Sequence, residues 1–508
     1  MTGMAQTRRH CPYLVFAALL LTAFLPVQVL SSPEYRAVTI LHTNDTHGHL
    51  LPFSYPEPPS VYADYASMPH TKDIGGIARR ATLVRRVENE VKGEVLLLDA
   101  GDVLDGTPFS IEYKGEADFA AMSAVGYDAF TPGNHEFNLS LQEFWRNARV
   151  ATFPILCANL IDKKAQDVLP DYKIFDVQGV KIAVFGLTIP NDYRAVKEGF
   201  DFLDPYKVAK ELVPKLKKQA DIVVALTHLG IENDMRLAQE VPEIDIIVGG
   251  HSHTRLTAPI LVKHDGKESA FSVNGTIIVQ AHQWGGELGR LDLRLRKNST
   301  PFTIMSFSGK LIPVTPDIPE DQATAKIVAK YYKPILAKYE RIVGKASETF
   351  YNDNDCENSL LNLVCDALRE ASGAQAALYN VGGVRSDLQK GTIKFWDLAT
   401  VFPFQNKLIL LKTSGKQLKK ALETQQLGVS GIRYRIASGK LVTATIDGKP
   451  IEDEKLYTIA TTDFIEERTF EEVFERKVIA DDYREAIVAY IQARKTVTPV
   501  LDGRRVIE

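Results

Sequence analysis

Five times in the first half of the chain, a short apolar run gives way to a residue that can ligate a metal, with glycine beside it. These are Asp45 and His47 in ILHTNDTHGH, Asp102 in AGDVLDG, Asn134-His135-Glu136 in PGNHEF, His228 in THLG, and His251 and His253 in GGHSHT. Apolar runs of this length, bounded by turn residues, read as strands covered on both faces. In an open α/β sheet the loops at the carboxyl ends of such strands share one crevice, where ligands bind. Taken singly, Gly101-Asp102 reads as a turn with a capping aspartate, Asn134 as a turn residue and His228 as a core histidine. Their recurrence at successive strand ends, with His251 and His253 flanking one serine after Gly249-Gly250, favours one metal centre built from all five places. Hard oxygen donors mixed with imidazoles suit Zn, Mn or Fe rather than Ca or Mg alone.

The histidines confine that chemistry. All 11 lie at or before His282, so imidazole ligation belongs to the first half of the chain. From Arg36 to about Arg296, apolar segments alternate with amphipathic ones. Glu94–Ala100, Ile182–Leu187, Ile222–Thr227, Ile244–Val248 and Ile277–Ala281 read as buried strands; Gly75–Val91 and Tyr206–Lys218 read as helices. This alternation predicts a layered α/β domain. Phe53–Met68 lacks a period and reads as a loop at the rim of the Asp45 crevice. Leu291–Leu311 alternates as antiparallel strands, Pro313–Pro319 breaks the pattern, and Asp321–Arg341 has the spacing of a connecting helix.

At 508 residues the chain is long for one core. The predicted division is a signal segment over 1–32, a first domain over 33–312, a linker with the connecting helix over 313–342, and a smaller α/β domain over 343–508. A formal charge of −4 supplies no basic footprint for nucleic acid. Arg8 and Arg9 precede an apolar run from Tyr13 to Leu30 and then Ser31-Ser32. That order predicts a secretory signal cut near Ser31 or Ser32, hence an exported product, periplasmic or extracellular, with no membrane attachment after cleavage. The rival is a retained anchor, since the run approaches the ~20 residues that span a bilayer. Cys157, Cys356 and Cys365 would remain after cleavage, and they read as reduced packing residues, the last two on one helix.

Asp45-x-His47, Gly101-Asp102, Gly133-Asn134-His135-Glu136, His228 and Gly250-His251-x-His253 together resemble the signature of the calcineurin-like metallophosphoesterases. With a second C-terminal domain they resemble the 5′-nucleotidase branch. The resemblance implies a four-layer α/β/β/α sandwich binding two divalent metal ions, Zn, Mn or similar. It assigns Asp45, His47 and His253 to one metal, Asn134, His228 and His251 to the other, and Asp102 to both. A hydroxide shared by the metals would attack phosphorus. His135 would face the phosphate, stabilising charge or protonating the leaving oxygen. The family usually partners this histidine with an aspartate three residues on. Here that position is Asn138, which as an amide can orient an imidazole but cannot stabilise its charged form. Asparagine there looks more like the branch acting on 2′,3′-cyclic nucleotides and 3′-nucleotides.

The second domain carries the expected substrate contacts. Asn380-Val381-Gly382-Gly383-Val384-Arg385 resembles the family's Asn-Gly-Gly-Gly-x-Arg loop, whose arginine meets phosphate or carboxylate. Phe404 and Phe464 match the pair of aromatics that holds a base, with Asn406 as a polar contact. Two features depart from the pattern. Cys356 stands where an arginine precedes Glu357, and Glu466–Glu472 replaces a Gly-Gly-Asp-Gly run whose aspartate meets the ribose. The predicted partner is therefore a small phosphate ester, most simply a nucleotide. The rivals are a 2′,3′-cyclic phosphodiesterase with 3′-nucleotidase activity and a binding protein on an inactive phosphatase scaffold.

Overall fold

The computed structural model describes residues 1–3, 34–55, 68–91, 95–163, 169–191, 194–264, 272–297, 301–352, 357–425 and 427–508. Residues 4–32 of the predicted signal segment, most of the Phe53–Met68 loop and Cys356 lie outside the described residues. The opening strand β1 (Glu34–Thr43) shows why the first domain is layered: its last six residues, from Val38, are all buried. Only a strand with both faces covered has that pattern.

β1 lies parallel to β2 (Val95–Asp99), with Thr43 opposite Asp99, and β2 is parallel to β3 (Ala129–Phe130). A second sheet holds β4 (Tyr172–Val177), β5 (Val180–Thr188), β6 (Ile222–His228), β7 (Ile246–Val248), β8 (Ile260–Lys263) and β9 (Gly275–Val279), in the order β8-β9-β7-β6-β5-β4. In it β5, β6, β7 and β9 run parallel. The antiparallel strands β10 (Glu287–Lys297) and β11 (Thr303–Pro313) complete the first sheet, in the order β11-β10-β1-β2-β3.

Side-chain alternation separates the layers. Val38, Ile40, Leu96 and Leu98 from the first sheet pack against Ile182, Val184, Val224 and Leu226 from the second. On the opposite face of the first sheet, Leu41 and Leu97 join the helices α1 (Ile77–Val91) and α2 (Glu116–Val125). On the opposite face of the second, Phe185 and Ala225 join α3 (Pro205–Leu216) and α4 (Ile231–Glu240). The order is thus helix, sheet, sheet, helix, with apolar contacts through every interface.

The connecting helix α5 (Gln322–Tyr339) begins at Asp321, whose carboxylate accepts from the Thr324 N–H at 2.9 Å. Val328, Tyr331, Ile335 and Tyr339 form its buried stripe. Tyr339 donates to Glu112 at 2.6 Å, and the Tyr331 hydroxyl reaches Glu116 at 3.1 Å, so the helix is fastened to the first domain. The second domain centres on a five-stranded sheet of β12 (Ala376–Asn380), β13 (Leu408–Ser414), β14 (Leu427–Ser430), β15 (Leu456–Thr462) and β16 (Glu475–Ala480), in the order β14-β12-β15-β13-β16. The rings of Phe109 and Tyr332 each meet that of Trp396 edge to face between the domains, and Gln405 Nε2 donates to the Ile111 carbonyl at 3.2 Å. Cys157 and Cys365 are buried free thiols, as expected of packing residues; Cys365 sits in the helix Ser359–Ser372. That helix starts at Ser359, and the part of the reading that concerns Cys356 falls outside the described residues.

Candidate metal centre and substrate cleft

Two strand-end loops of the first sheet are laced together before any donor side chain is placed. The Ala100 N–H donates to the Thr43 carbonyl at 2.9 Å, Asp45 N–H to Gly101 at 2.8 Å, His47 N–H to Asp102 at 3.0 Å and Gly48 N–H to Val103 at 2.7 Å. The donors leave this lattice from an unusual backbone. Asp45, His47, Asp102, His251 and His253 have φ of 50°, 45°, 55°, 77° and 52°, in the left-handed region that residues with a Cβ seldom occupy. Such conformations gather where a ligand site is held by its surroundings. Gly133 and Gly250 supply the closeness: a Cβ on the first would lie 2.2 Å from Asp102 Oδ1, and on the second 2.7 Å from the Ala100 carbonyl oxygen.

The side chains then converge. His47 Nε2 is 3.1 Å from His253 Nε2, and His253 Nε2 is 3.3 Å from Asp45 Oδ1. His228 Nε2 lies 3.0 Å from Asp102 Oδ2, a close approach without the alignment of a hydrogen bond. Three overlapping donor groups result: Asp45, His47 and His253; Asp102, His228 and His251; and His47, Asp102 and His135. Asp102 is common to the second and third. Asn134 sits beside them with its Oδ1 buried and lacking a hydrogen-bond partner.

Neighbours fix the ring orientations. His47 Nδ1 lies 2.7 Å from the Leu104 carbonyl, and His228 Nδ1 lies 2.7 Å from that of Ala100. A carbonyl only accepts, so each Nδ1 carries the hydrogen and each Nε2 is turned to the centre, as in metal-binding histidines. Asn44 donates to Asp45 Oδ2 at 2.7 Å, and the His251 N–H donates to the same oxygen at 2.9 Å. Burial alone would raise Asp45 and Asp102, but the imidazoles around them, His253 and His228 foremost, hold both below the usual carboxylate range. Burial keeps His47 well below its ordinary value and His251 down at about 4. Although burial opposes it, the negative charge of Asp102 drives His228 up to about 10. Ionised carboxylates and neutral imidazoles are the metal-binding forms. The proton drawn to His228 marks a pocket short of positive charge, so the donor set fits divalent cations.

Glu136, which the sequence shows only as one more ligand-type residue, points away from the centre. Its Oε1 accepts from the N–H groups of Val103 and Leu104 at 2.9 and 3.3 Å, and its Oε2 from those of Asp102 and Gly133 at 3.0 and 2.6 Å. Burial, with Asp102 nearby, pushes its carboxyl up to about 8, while the N–H groups pull it down. One side chain thus straps the loop carrying Asp102 to the loop carrying Asn134.

His135 is where sequence and structure differ. Its Nδ1 lies 3.0 Å from Asp105 Oδ2, and Asn138 Nδ2 donates to that same oxygen. Asn138 Nδ2 is 3.4 Å from His135 Nδ1. The expectation that His135 has only an amide for a partner is therefore corrected. The carboxylate arrives from the turn after Asp102, and Asn138 stands behind it. Asp105 escaped notice because nothing in AGDVLDG says which way its second aspartate faces; its φ of 61° turns it back toward His135.

Of the second-domain residues, Arg385 enters the centre: its Nη2 is 3.5 Å from His135 Nε2. It follows a tight turn over Val381–Gly383, where a Cβ on Gly383 would lie 2.5 Å from the Tyr379 ring, while Gly382 is open. Asn380 is the last residue of β12. Phe404 stacks near His135, ring centres 6.1 Å apart. Phe464 instead packs against the second domain's own core under Arg468, 4.6 Å away. The Lys407 N–H donates to Asp463 Oδ1 at 3.0 Å, so Phe404 and Phe464 leave one edge of the sheet. The Asn406 carbonyl accepts from the Tyr483 N–H at 3.1 Å. A cavity of about 180 Å³ is bounded by His47, Asp105, His253, Gly382 and Arg385, and one of about 420 Å³ continues past His49, Trp284 and Thr400 to Trp396.

Comparison with known proteins agrees with this arrangement. Residues 38–255 match the calcineurin-like phosphoesterase family and residues 342–471 the 5′-nucleotidase C-terminal domain. A 5′-nucleotidase of Vibrio cholerae is 30% identical over 89% of this chain and 88% of its own. The crystal structure of a 5′-nucleotidase precursor from Thermus thermophilus superposes with a TM-score of 0.82 at 28% identity, covering 93% of this chain and 99% of that one. The sulfate thiohydrolase SoxB of Thermus thermophilus shares the fold, with a TM-score of 0.76 at 20% identity over 92% of this chain and 96% of its own. Among the described residues no helix is long and apolar enough to cross a membrane. By its two matched domains and its full-length relatives, the chain belongs to the 5′-nucleotidase family, metal-dependent phosphoesterases with a calcineurin-like catalytic domain.

Proposed function

We propose that this protein is an exported hydrolase of nucleotide phosphate monoesters that works with two divalent cations. Asp45, His47 and His253 would hold one, Asn134, His228 and His251 the other, and Asp102 would serve both. When bound, the cations supply a water of lowered pKa and neutralise phosphoryl charge. The chain's own residues do the rest. Arg385 offers a forked donor to phosphate oxygens beside His135. His135 presents Nε2 to the reacting group, and when that nitrogen as well as Nδ1 carries a hydrogen the ring can stabilise its charge or protonate the leaving oxygen. Phe404 supplies an apolar wall beside it for a base. We further propose that catalysis resides in 33–312, that 343–508 selects the leaving group, and that 313–342 joins them.

The observation that carries this reading is the meeting of donors from five strand ends with an arginine of the second domain at one cavity. A full donor set speaks against the inactive-scaffold alternative. A second reading, hydrolysis of 2′,3′-cyclic nucleotides and 3′-nucleotides, keeps support from the altered loop after Phe464. There Glu466 is tied to Arg476 at 2.7 Å, rather than an aspartate being free for a ribose. Purified protein would be assayed on AMP, 3′-AMP and 2′,3′-cyclic AMP with Mn²⁺, alongside a chelated control. AMP should be the best substrate, a preference for the cyclic ester would select the second reading, and inertness toward all three would remove nucleotides.

A further inference from the structure

Resting on the phosphohydrolase reading, we infer that Asp105 is the positioning residue of His135, the acid having moved from the position of Asn138 to the turn that follows Asp102. His135 Nδ1 and Asn138 Nδ2 both address Asp105 Oδ2. An amide nitrogen is a donor only, and a carboxylate oxygen only accepts. The three groups are therefore consistent in one way: Asn138 donates to Asp105, and Nδ1–H of His135 donates to Asp105. Without the carboxylate, the amide nitrogen 3.4 Å away would face Nδ1 directly and favour the opposite tautomer, with the hydrogen on Nε2 alone.

Among the described residues, Asp105 is the one acceptor that meets Nδ1. Nε2 faces the cleft, 3.9 Å from Asp102 Oδ2 and 3.5 Å from Arg385 Nη2. His47 meets the ring edge-on at 5.0 Å, and Phe404 lies over it at 6.1 Å. These contacts limit the ring's tilt, and Arg385, which only donates, agrees with a bare Nε2, but none of them reaches Nδ1. Asp105 does, and it is itself held: its φ of 61° places it in the left-handed region, and the loop behind it is fixed by the Leu104 N–H on Glu136. Carboxylates behind a functional imidazole fix its tautomer and its rotation together. Asn138 thus keeps a place in the site as the residue that holds the acid.

The test is a transposition. Wild type, Asp105→Asn, Asn138→Asp and the double variant Asp105→Asn/Asn138→Asp are compared on p-nitrophenyl phosphate with Mn²⁺. The tautomer of His135 is read from ¹⁵N-imidazole NMR of each metal-free protein, the resonance being assigned with His135→Gln. Asp105→Asn should lower kcat roughly 10–100-fold with KM little changed, and should remove the Nδ1–H form. The double variant, with the acid back at 138, should regain both most of kcat and the Nδ1–H form. Wild-type kcat in Asp105→Asn, or a double variant no better than the single, overturns the inference. An inert wild-type enzyme would sink the phosphohydrolase reading instead, and the tautomer would still decide Asp105: an unchanged Nδ1–H form in Asp105→Asn refutes it.

Discussion

Replacing Glu136 with glutamine exchanges one carboxylate oxygen for an NH₂ group and leaves the outline of the side chain intact. In the native protein each oxygen accepts two backbone N–H groups, Val103 and Leu104 on one, Asp102 and Gly133 on the other. Whichever way the amide turns, two of those four N–H groups meet a donor. A buried donor left unsatisfied costs about 1–3 kcal/mol. Glu136→Gln should therefore destabilise by about 2–6 kcal/mol, unless the loop opens to water first. Glu136 is 1% exposed, so that opening must move the backbone that carries Asp102.

The two consequences are linked through one loop, which makes the argument testable. Stability is read at pH 9, where the native Glu136 carboxyl is ionised, from denaturant melts of the metal-free protein, and metal affinity from calorimetric titration with Mn²⁺. Affinity should fall about 10–100-fold, as is typical when a group supporting a ligand is lost. The reasoning is refuted if Glu136→Gln melts like the wild type. It is equally refuted if stability falls while Mn²⁺ affinity stays unchanged, for then the strap does not hold the donors.

Asp102→Ala should abolish turnover of an aryl phosphate, and chelation should do the same to the wild type in a way Mn²⁺ or Zn²⁺ reverses; retained turnover in either case contradicts a shared-aspartate centre. Phe404→Ala should raise KM for AMP several-fold, since an aromatic contact contributes about 0.5–1.5 kcal/mol beyond burial, and leave glycerol phosphate unaffected; equal changes on both substrates would remove the base contact. Asp118 is buried with neither oxygen hydrogen-bonded, and burial pushes its carboxyl up to about 8. The folded protein then keeps a proton that the unfolded chain, with a pKa near ~3.9, has released, so stability falls as pH rises from about 4 to about 8. Asp118→Asn should accordingly stabilise by about 1–3 kcal/mol at pH 8 and much less at pH 5 in thermal melts, and an equal effect at both pH values would refute the assignment.

The donors of the centre were legible because each stands within a few residues of an apolar strand. Strand ends are visible in sequence, and parallel topology brings them to one edge. Asp105 and Glu136 were not legible, although their letters lie inside the same motifs. Their roles depend on which way a turn aims a carboxylate: Asp105 toward an imidazole 30 positions away, Glu136 into backbone N–H groups of a different loop. No periodicity records that choice. The second domain shows the same division. Arg385 and Phe404 meet His135, whereas Phe464 lies on the right sheet edge yet packs into its own core, since an aromatic residue serves packing as readily as binding.

The backbone of the centre explains why these silent residues are needed. Left-handed φ costs an ordinary residue roughly 1–2 kcal/mol, and Asp45, His47, Asp102, His251 and His253 all adopt it. Side-chain ligation cannot hold that conformation in a chain that has not yet met a cation, because the donors then share no ion. The cost is offset instead by bonds that need no cation: the ladder from Thr43 to Gly48, the Asn44 amide and the four N–H groups on Glu136. These make a site whose shape precedes its ligand, so cation binding need not also order the loops. Motif letters therefore mark where the metal chemistry is, while the residues between them decide whether the donors stand ready for it.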